Sequence, residues 1–373
     1  MVYDYIFCGA GCAGLSLISH LAQDEFFDSK RILVLDQSDK TENDRTWCFW
    51  SESDFGYKAS RMSWKEITFR TDRKSIQEDI HPFSYYHIEG KNFYSEIFQL
   101  IDKNEHIDFV KCQVKSITEK EDGVTVFTAD KTYQGKLAFN SITRLAFNKL
   151  PKIDLWQHFY GYRLITQDPF FNQKAVTLMD FSVGKNKDRV QFGYVLPFNQ
   201  HEALVEYTEF SPDVLKEEEY IDEITAQIKA LGLKDFEIKQ VEIGKIPMSS
   251  LPKNASSKNI IHLGTAAGLT KPTTGYTFRN IQIDSKDIIG SLKKEQRFKR
   301  DKRKRRFSFY DSLLLGIIKD EPHQVKKIMS KLFGRNKFRR ILNFLDENSS
   351  LWDEIRIFTS IPWGPFLRQL AKK

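Results

Sequence analysis

The sequence predicts an α/β fold, and three features of the chain support that prediction. A glycine turn at residues 9–14 follows a β-rich run at 3–7 and precedes a helical pattern at 15–22. A second glycine-containing turn, at residues 264–277, also lies between a strand and a helical pattern. This order of elements is typical of the βαβ unit that binds a dinucleotide. Alternating strands between residues 155 and 208 further predict an antiparallel sheet inserted into that fold.

Each glycine of the first turn has a separate predicted role. Gly9 permits the tight bend, Gly11 leaves bare backbone for a pyrophosphate, and Gly14 allows helix and strand to pack closely. The helix that follows directs unpaired N–H groups at the phosphates. The next strand ends at Asp36, where a carboxylate reaches the adenosine ribose hydroxyls. The other turn residues expected at the cofactor are Ala10, Cys12 and Ala13.

Composition limits the class of protein. The chain has 373 residues, 40% hydrophobic and 29% charged, which suits two domains or one domain with an insertion. It contains no run of about 18 apolar residues, the length that spans a bilayer. No basic segment precedes the nucleotide fold, so we expect a cytoplasmic location without a secretory signal. The four cysteines form no C-x-x-C pair, so neither a metal site nor a disulfide framework is predicted.

A basic segment is followed directly by an apolar one. Residues 293–306 include ten Lys or Arg, within a net charge of +7, and residues 307–318 are rich in aromatic and aliphatic side chains. Such a pair is typical of a helix that binds an anionic membrane surface. A solvated basic helix followed by a core helix explains the pattern equally well. Nucleic acid is not expected as a partner, because no nucleic-acid-binding fold is recognisable.

The strand patterns suggest how the domains divide. Runs at 107–110, 114–117 and 124–128 match the β-meander that two-dinucleotide-fold flavoproteins insert, and 137–142 returns to the parallel sheet. We therefore predict a Rossmann-like FAD-binding domain, an inserted β-sheet substrate domain and a membrane-associating C-terminal region of three or four helices. The FAD-binding domain comprises residues 1–60, 88–150 and 240–292. The substrate domain comprises 61–87 and 151–239, and the C-terminal region comprises 293–373.

An aromatic segment follows the second strand. Trp47, Phe49 and Trp50 fall within four residues, close to Arg45. One of the three could belong to the core. A segment in this position points to the carboxyl edge of the sheet, where ligands bind, so we predict that the group lines a site.

Over nearly its whole length the chain resembles the FAD-containing lycopene cyclases of carotenoid synthesis, particularly the bacterial lycopene β-cyclase type. The resemblance rests on the first glycine turn, residues 43–50, residues 205–208, residues 246–248 and residues 272–276. It implies a redox-neutral cyclisation of the ψ ends of lycopene to β-ionone rings, giving γ-carotene and β-carotene. It also implies reduced FAD, which is required but not consumed, NAD(P)H as the reductant, and a peripheral position on the membrane that holds the carotenoid substrate.

The resemblance also implies site residues. Further cofactor contacts are expected at Arg45, Gly264, Thr265, Ala267, Gly268, Pro272, Thr274, Gly275 and Tyr276. Substrate contacts are expected at Trp47, Phe49, Trp50 and Tyr207.

Two departures from related patterns refine these expectations. Many flavin hydroxylases of this fold have an acid where this chain has Thr265, which argues against hydroxylation. The acidic motif of the cyclases often has two adjacent acids, whereas Tyr207 occupies the second position here. Glu206 is therefore the one acid at the matching position.

Glu206 is the predicted general acid. By pattern alone it could be a surface residue of its strand, but the resemblance favours a buried acid. Protonation of an alkene requires a carboxyl that keeps its proton, and raising its pKa from ~4.3 to ~7 requires roughly 3.7 kcal/mol from the environment. His158 and His262 are expected to be structural, and the final base is left unassigned.

Two other functions remain open at this point. A flavin-dependent monooxygenase or a prenyl-chain reductase has the same fold but consumes NAD(P)H stoichiometrically. A non-catalytic carotenoid or lipid carrier is the alternative from outside the enzymes.

Overall fold

The computed structural model describes residues 1–60, 62–146, 153, 155–184, 186–248, 256–300 and 304–372. The predicted domain boundary at 150/151 and residues 301–303 of the basic segment lie outside these ranges.

The first 146 residues contain eleven strands and three helices within the described ranges. The strands are β1 (Val2–Cys8), β2 (Ile32–Asp36), β3 (Thr46–Ser51), β4 (Met62–Trp64), β5 (Glu66–Thr71), β6 (Lys74–Asp79), β7 (Ser84–Glu89), β8 (Ile107–Lys111), β9 (Val114–Lys120), β10 (Gly123–Thr128) and β11 (Thr132–Asn140). The helices are α1 (Cys12–Leu21), α2 (Gly90–Ile101) and the short α3 (Thr143–Ala146).

The remainder of the chain is a second group of strands followed by helices. The strands are β12 (Trp156–Ile165), β13 (Ala175–Asp180), β14 (Val190–Pro197), β15 (Glu202–Ser211), β16 (Glu237–Pro247) and β17 (Ile260–His262). The helices are α4 (Glu217–Leu231), α5 (Phe278–Lys293), α6 (Arg305–Asp320), α7 (Val325–Arg335), α8 (Phe338–Leu345), α9 (Leu351–Ser360) and α10 (Trp363–Ala371).

A mostly parallel sheet forms the nucleotide-binding half of the fold. Its order is β8-β2-β1-β11-β10-β9, and β17 also pairs with β11. β8, β2, β1, β11 and β17 are parallel, whereas β9, β10 and β11 form an antiparallel meander. The prediction that residues 107–110 belong to the meander is therefore wrong, because β8 is the parallel edge strand beside β2.

The inserted sheet has the order β16-β12-β15-β14-β13-β5-β6, and β3, β7 and β4 form a separate three-stranded sheet. The inserted sheet is antiparallel except for the β13–β5 pair. The boundary predicted at residue 240 falls inside β16, which is hydrogen-bonded to β12 along its length. The strand order and pairing confirm the predicted architecture: a Rossmann-like sheet, an inserted sheet that is mostly antiparallel, and C-terminal helices.

Each face of the inserted sheet has its own apolar core. Val205 and Tyr207 of β15 pack with residues of α4 on one face. Leu204 and Phe210 point to the other face, which is covered by C-terminal helices through residues such as Ile317. The C-terminal region contains five helices within 304–372, one more than the upper prediction, and much of their apolar surface belongs to this core.

Candidate active site

The first glycine turn has the geometry expected of a phosphate-binding turn. Gly9 has φ +102°, and a Cβ on Gly14 would lie 2.2 Å from the Gly9 carbonyl oxygen, so both positions require glycine. Within the described structure, no atom outside its immediate chain neighbours lies within 4 Å of a Cβ placed on Gly11, the residue that precedes α1 and provides no side-chain cap. Open space therefore faces the N-terminus of α1, where backbone N–H groups attract an anion.

Asp36 lies beside this turn at the end of β2. Its Oδ2 accepts a hydrogen bond from the Ala10 N–H at 2.7 Å, and its Oδ1 accepts one from Ser38 N–H at 2.8 Å. The carboxylate is thus held at the carboxyl edge of the parallel sheet, on the same side as the turn.

The second glycine turn packs against the first. Gly264 has φ +55°, and a Cβ added there would lie 2.8 Å from the Cβ of Ala13 in α1. A short 3₁₀ turn, Gly264–Ala267, ends at Gly268 with φ +72°. Thr265 is bonded through its hydroxyl to Thr270 at 3.2 Å. The contact between the turns brings both predicted cofactor segments to one side of α1.

The end of the second turn connects the two halves of the fold. The Gly275 N–H donates to the Lys271 carbonyl at 2.9 Å, which closes the turn that contains Pro272 and Thr274. A Cβ on Gly275 would lie 3.0 Å from both Gln157 of β12 and Ile246 of β16. The turn therefore carries Tyr276 to the inserted sheet.

Side chains alternate in direction along β3, so the three predicted aromatic residues do not all face the same side of the strand. Phe49 is buried and stacks on Phe278 of α5 at 4.5 Å, so it belongs to the core of the nucleotide-binding half, the place that the sequence analysis allowed for one of the three, and its substrate contact stays a prediction. Trp47 points the same way, toward Phe93 and Phe278. Trp50 points to the opposite side and contacts Tyr276, with ring centroids 4.6 Å apart. Arg45 is exposed before β3, and its carbonyl accepts a hydrogen bond from Gly90 N–H.

Glu206 lies in the middle of β15, on the face that Trp50 and Tyr276 also approach. Part of its surface is accessible, and the Thr208 hydroxyl donates to its Oε1 at 2.6 Å. Burial and the nearby charge of Glu242 raise the pKa of the Glu206 carboxyl to about 8. The carboxyl therefore keeps its proton at neutral pH, as the sequence analysis required of a general acid.

Tyr207 points to the other face of the sheet. It is fully buried beside α4, and its hydroxyl donates to Glu209 at 2.8 Å. Because successive side chains of a strand alternate in direction, Tyr207 cannot share a pocket with Glu206. A substrate contact at Tyr207 would therefore lie apart from Glu206, and it stays a prediction. His158 lies on this far face as well, bonded to Ser211 and Tyr220, in the structural role that was expected.

The sequence analysis missed three groups near Glu206. Tyr194 of β14 is paired directly with Glu206, and its hydroxyl donates to Tyr85 at 3.1 Å. The Tyr85 hydroxyl is in turn 2.8 Å from that of Tyr276. A chain of tyrosines thus connects the strand of Glu206 to the second glycine turn. The third missed group is Glu242 of β16. Exposed and half-buried residues alternate along this strand, and that alternation could have indicated that Glu242 faces the protein.

A pair of alanine substitutions tests the first turn. Gly11→Ala is expected to leave the free energy of unfolding unchanged, because φ is −82° and the added methyl enters open space. It should weaken FAD binding by about 1–3 kcal/mol, the usual cost of overpacking. Gly14→Ala should lower stability as well, since its Cβ meets the Gly9 carbonyl. Flavin fluorescence titration and urea unfolding measure the two effects, and unchanged FAD affinity in Gly11→Ala would contradict the assignment.

Several solved structures have a similar fold. A flavoprotein/dehydrogenase from Cytophaga hutchinsonii is 12% identical with a TM-score of 0.65, covering 99% of this chain and 100% of that one. A geranylgeranyl bacteriochlorophyll reductase-like protein from Thermoplasma acidophilum is 16% identical with a TM-score of 0.60, covering 100% and 96%. The halogenase PltM in complex with phloroglucinol and FAD is 11% identical with a TM-score of 0.63, covering 92% and 82%. These similarities define the chain as a member of the flavoprotein fold class.

The family to which the chain belongs is more specific than this fold class. The chain matches the lycopene cyclase protein family over residues 4–371 and belongs to that family. A comparison with curated proteins finds no match.

Proposed function

We propose that this protein is a lycopene β-cyclase that converts ψ ends of a carotenoid into β-ionone rings without net redox change. The observation that carries the proposal is Glu206, a carboxyl with a pKa of about 8 on a sheet face that aromatic side chains approach. Acid-initiated cyclisation requires a protonated carboxyl in apolar surroundings. Membership of the lycopene cyclase family supports the same reaction class.

The residues present fit FAD. Gly11 leaves open space at the start of α1, Asp36 lies at the end of β2, and the second turn contacts the first through Gly264. This arrangement suits an adenosine, a pyrophosphate and a second group extending toward residues 272–276. Reduced FAD, when bound, supplies electron density that stabilises a carbocation electrostatically, and NAD(P)H is the proposed source of its electrons.

The side chains around Glu206 have separable roles in the proposed reaction. Thr208 donates to Oε1 of Glu206, which leaves Oε2 to carry the proton that is delivered to the terminal double bond. The rings of Trp50 and Tyr276, in contact with each other, offer faces for cation–π stabilisation of the resulting carbocation. Tyr85 orients Tyr276 through the hydroxyl bond between them.

Incubation of the reduced holoenzyme with lycopene in liposomes tests the proposal. We expect γ-carotene and β-carotene, with masses equal to that of lycopene and no stoichiometric consumption of NAD(P)H. Oxygenated or hydrogenated products formed with one NAD(P)H each would instead identify a monooxygenase or a prenyl-chain reductase. Lycopene that is bound but never converted would identify a carrier.

The membrane contact is proposed for a narrower surface than the sequence suggested. In the basic segment, Lys293 pairs with Asp24, Arg300 with Asp284 and Arg306 with Glu354. Phe307 and Ile317 of α6 are buried in the protein. Several of the basic side chains and much of the apolar helix are thus engaged within the fold. Across the described residues, no helix is both long and apolar enough to traverse a bilayer.

The last two helices expose large apolar side chains instead. Trp352 of α9 is 76% exposed and Trp363 of α10 is 56% exposed. Four further exposed apolar residues lie on the same two helices: Leu351, Ile355, Leu367 and Leu370. We call these six residues the α9–α10 apolar surface. Tryptophan is favoured at membrane interfaces, and a hydrocarbon substrate must be drawn from a bilayer.

Replacing Trp352 and Trp363 together with Ser should weaken binding to liposomes by at least tenfold, because each buried large apolar side chain contributes about 1.5–3 kcal/mol. Co-sedimentation with anionic liposomes measures the effect. Phe127→Ser, which removes an exposed aromatic residue from the meander, is the control. Equal binding by the double variant and the control would contradict this surface assignment.

A further inference from the structure

A second carboxyl group, that of Glu242, faces the same side of the inserted sheet as Glu206. Gly161 of β12 pairs with Glu206 on β15 and with Glu242 on β16. Side chains of directly paired residues in an antiparallel sheet point to the same face. Because Gly161 has no side chain, no protein group from that position separates the two carboxyls.

The two acids are electrostatically linked. Burial is the largest cause of the raised pKa of Glu206, and the charge of Glu242 is the second. Burial also raises the pKa of Glu242, with a further contribution from Glu89, while Thr46 and Arg163 oppose it. Two like charges in a shared low-dielectric space disfavour double ionisation, so the pair tends to retain a proton.

Glu242 also borders a polar cavity that Glu206 does not line. The cavity has a volume of about 10 Å³, sufficient for roughly one water molecule. Its lining includes Thr46, His87, Glu89, Arg163 and Glu242. Arg163 bonds Glu89 at 2.7 Å and Glu202 at 2.6 Å, and all three side chains are partly exposed to solvent. Glu242 thus lies between the enclosed acid and an ionic network that reaches the surface.

The proposed cyclisation leaves Glu206 without its proton after each ring is formed. The O–H bond of Glu206 breaks as a C–H bond forms at the terminal double bond, and an internal double bond then closes the ring on the cation. A neighbouring C–H bond supplies the electron pair of the final double bond, and its proton departs. One proton enters and one leaves, so Glu206 must be protonated again before the next turnover.

We propose that Glu242 is a proton relay that restores the proton of Glu206 across the gap at Gly161. This inference rests on the proposed cyclase function. It makes Glu242 a positioning residue that acts through Glu206. A proton that reaches Glu242 from solvent through the adjoining polar cavity passes to the deprotonated Glu206, and it balances the proton that the substrate releases.

Comparison of first and later turnovers in Glu242→Gln tests the relay. Reduced holoenzyme in liposomes with substoichiometric lycopene reports the first turnover, and excess lycopene reports the steady state. We expect the rate of the first turnover to stay within about twofold of the wild type. The steady-state rate should fall by at least about tenfold, a smaller loss than the roughly 100-fold that removing a direct proton donor usually costs. Glu237→Gln, an exposed acid on the same strand, is the matched control and should leave both rates unchanged.

Two results would overturn the relay: an unchanged steady state, or a first turnover that falls in the same proportion as the steady state. Gly161→Ala provides a second variant, because its Cβ would lie between the two carboxyl-bearing strands, 3.4 Å from the Cβ of Glu206 and 3.0 Å from a terminal methyl of Leu204. It should slow the steady state alone, and it decides the question if Glu242→Gln fails to take up FAD. A wild-type protein that forms no cyclic product refutes the proposed function itself, so the two failures are distinguishable.

Discussion

Glu206→Gln is expected to lower the rate of cyclisation by at least about 100-fold, within the range measured when a general acid is removed. Gln keeps the shape of the side chain and can still bond Thr208, but it holds no proton of suitable acidity. The Glu206 carboxyl bonds Thr208 of its own strand and closes neither glycine turn, so FAD uptake should be unchanged. Carotenoid product analysis and the flavin absorbance of the purified variant measure the two properties separately.

The pH dependence provides an internal control for this variant. A carboxyl whose pKa is raised to about 8 is protonated below that pH and loses its proton above it. The activity of the wild type should therefore fall as pH rises through about 8. Glu206→Asp, which keeps an acid but shortens the side chain, should retain this pH limb at a reduced rate. Full activity of Glu206→Gln with FAD bound would refute the acid assignment.

Lys271→Met is expected to cost about 3–5 kcal/mol of stability, the usual loss when one partner of a buried ion pair is removed. Lys271 is 8% exposed, and its Nζ lies 3.0 Å from Asp311 of α6 and 3.0 Å from Glu347. Thr273 also donates to Asp311 at 2.9 Å. The second glycine turn is therefore anchored to the C-terminal helices, and FAD retention should decrease with stability.

Urea unfolding followed by circular dichroism measures the loss in Lys271→Met. Lys271→Arg keeps the charge and should recover part of the stability. Lys111→Met removes an ion pair with Asp39 that is more than half exposed on both sides, and we expect no measurable change from it. Equal stability of Lys271→Met and Lys111→Met would show that the buried cluster does not anchor the turn.

Local patterns in the sequence were sufficient for the two glycine turns of the nucleotide-binding half. The three glycines of the first turn, Asp36 and the second turn are arranged within short stretches, and their conformations follow from local steric limits. The family resemblance, which the match over residues 4–371 supports, added the choice of Glu206 as the candidate acid. The side of the sheet that Glu206 faces was not available from its own strand.

Tertiary structure decided which side chains surround the acid. A period of two along β3 indicates that Trp50 points away from Phe49, but not which of them faces Glu206. The same limit applies to Tyr207, because its own strand does not show which face of the sheet it occupies. Glu242 is 36 residues from Glu206 in the sequence, and only the strand pairing through Gly161 places both on one face.

The C-terminal helices illustrate the same limit on a larger scale. Their amphipathic patterns predicted helices but did not distinguish an apolar face that packs on the inserted sheet from one that meets a membrane. Ile317 is buried in the core, whereas Trp352 is exposed. The sequence by itself determined the local turns and most helices and strands, and the family resemblance selected the candidate acid. Strand register and packing between distant segments decided which side chains surround that acid, because these depend on contacts that no local pattern encodes.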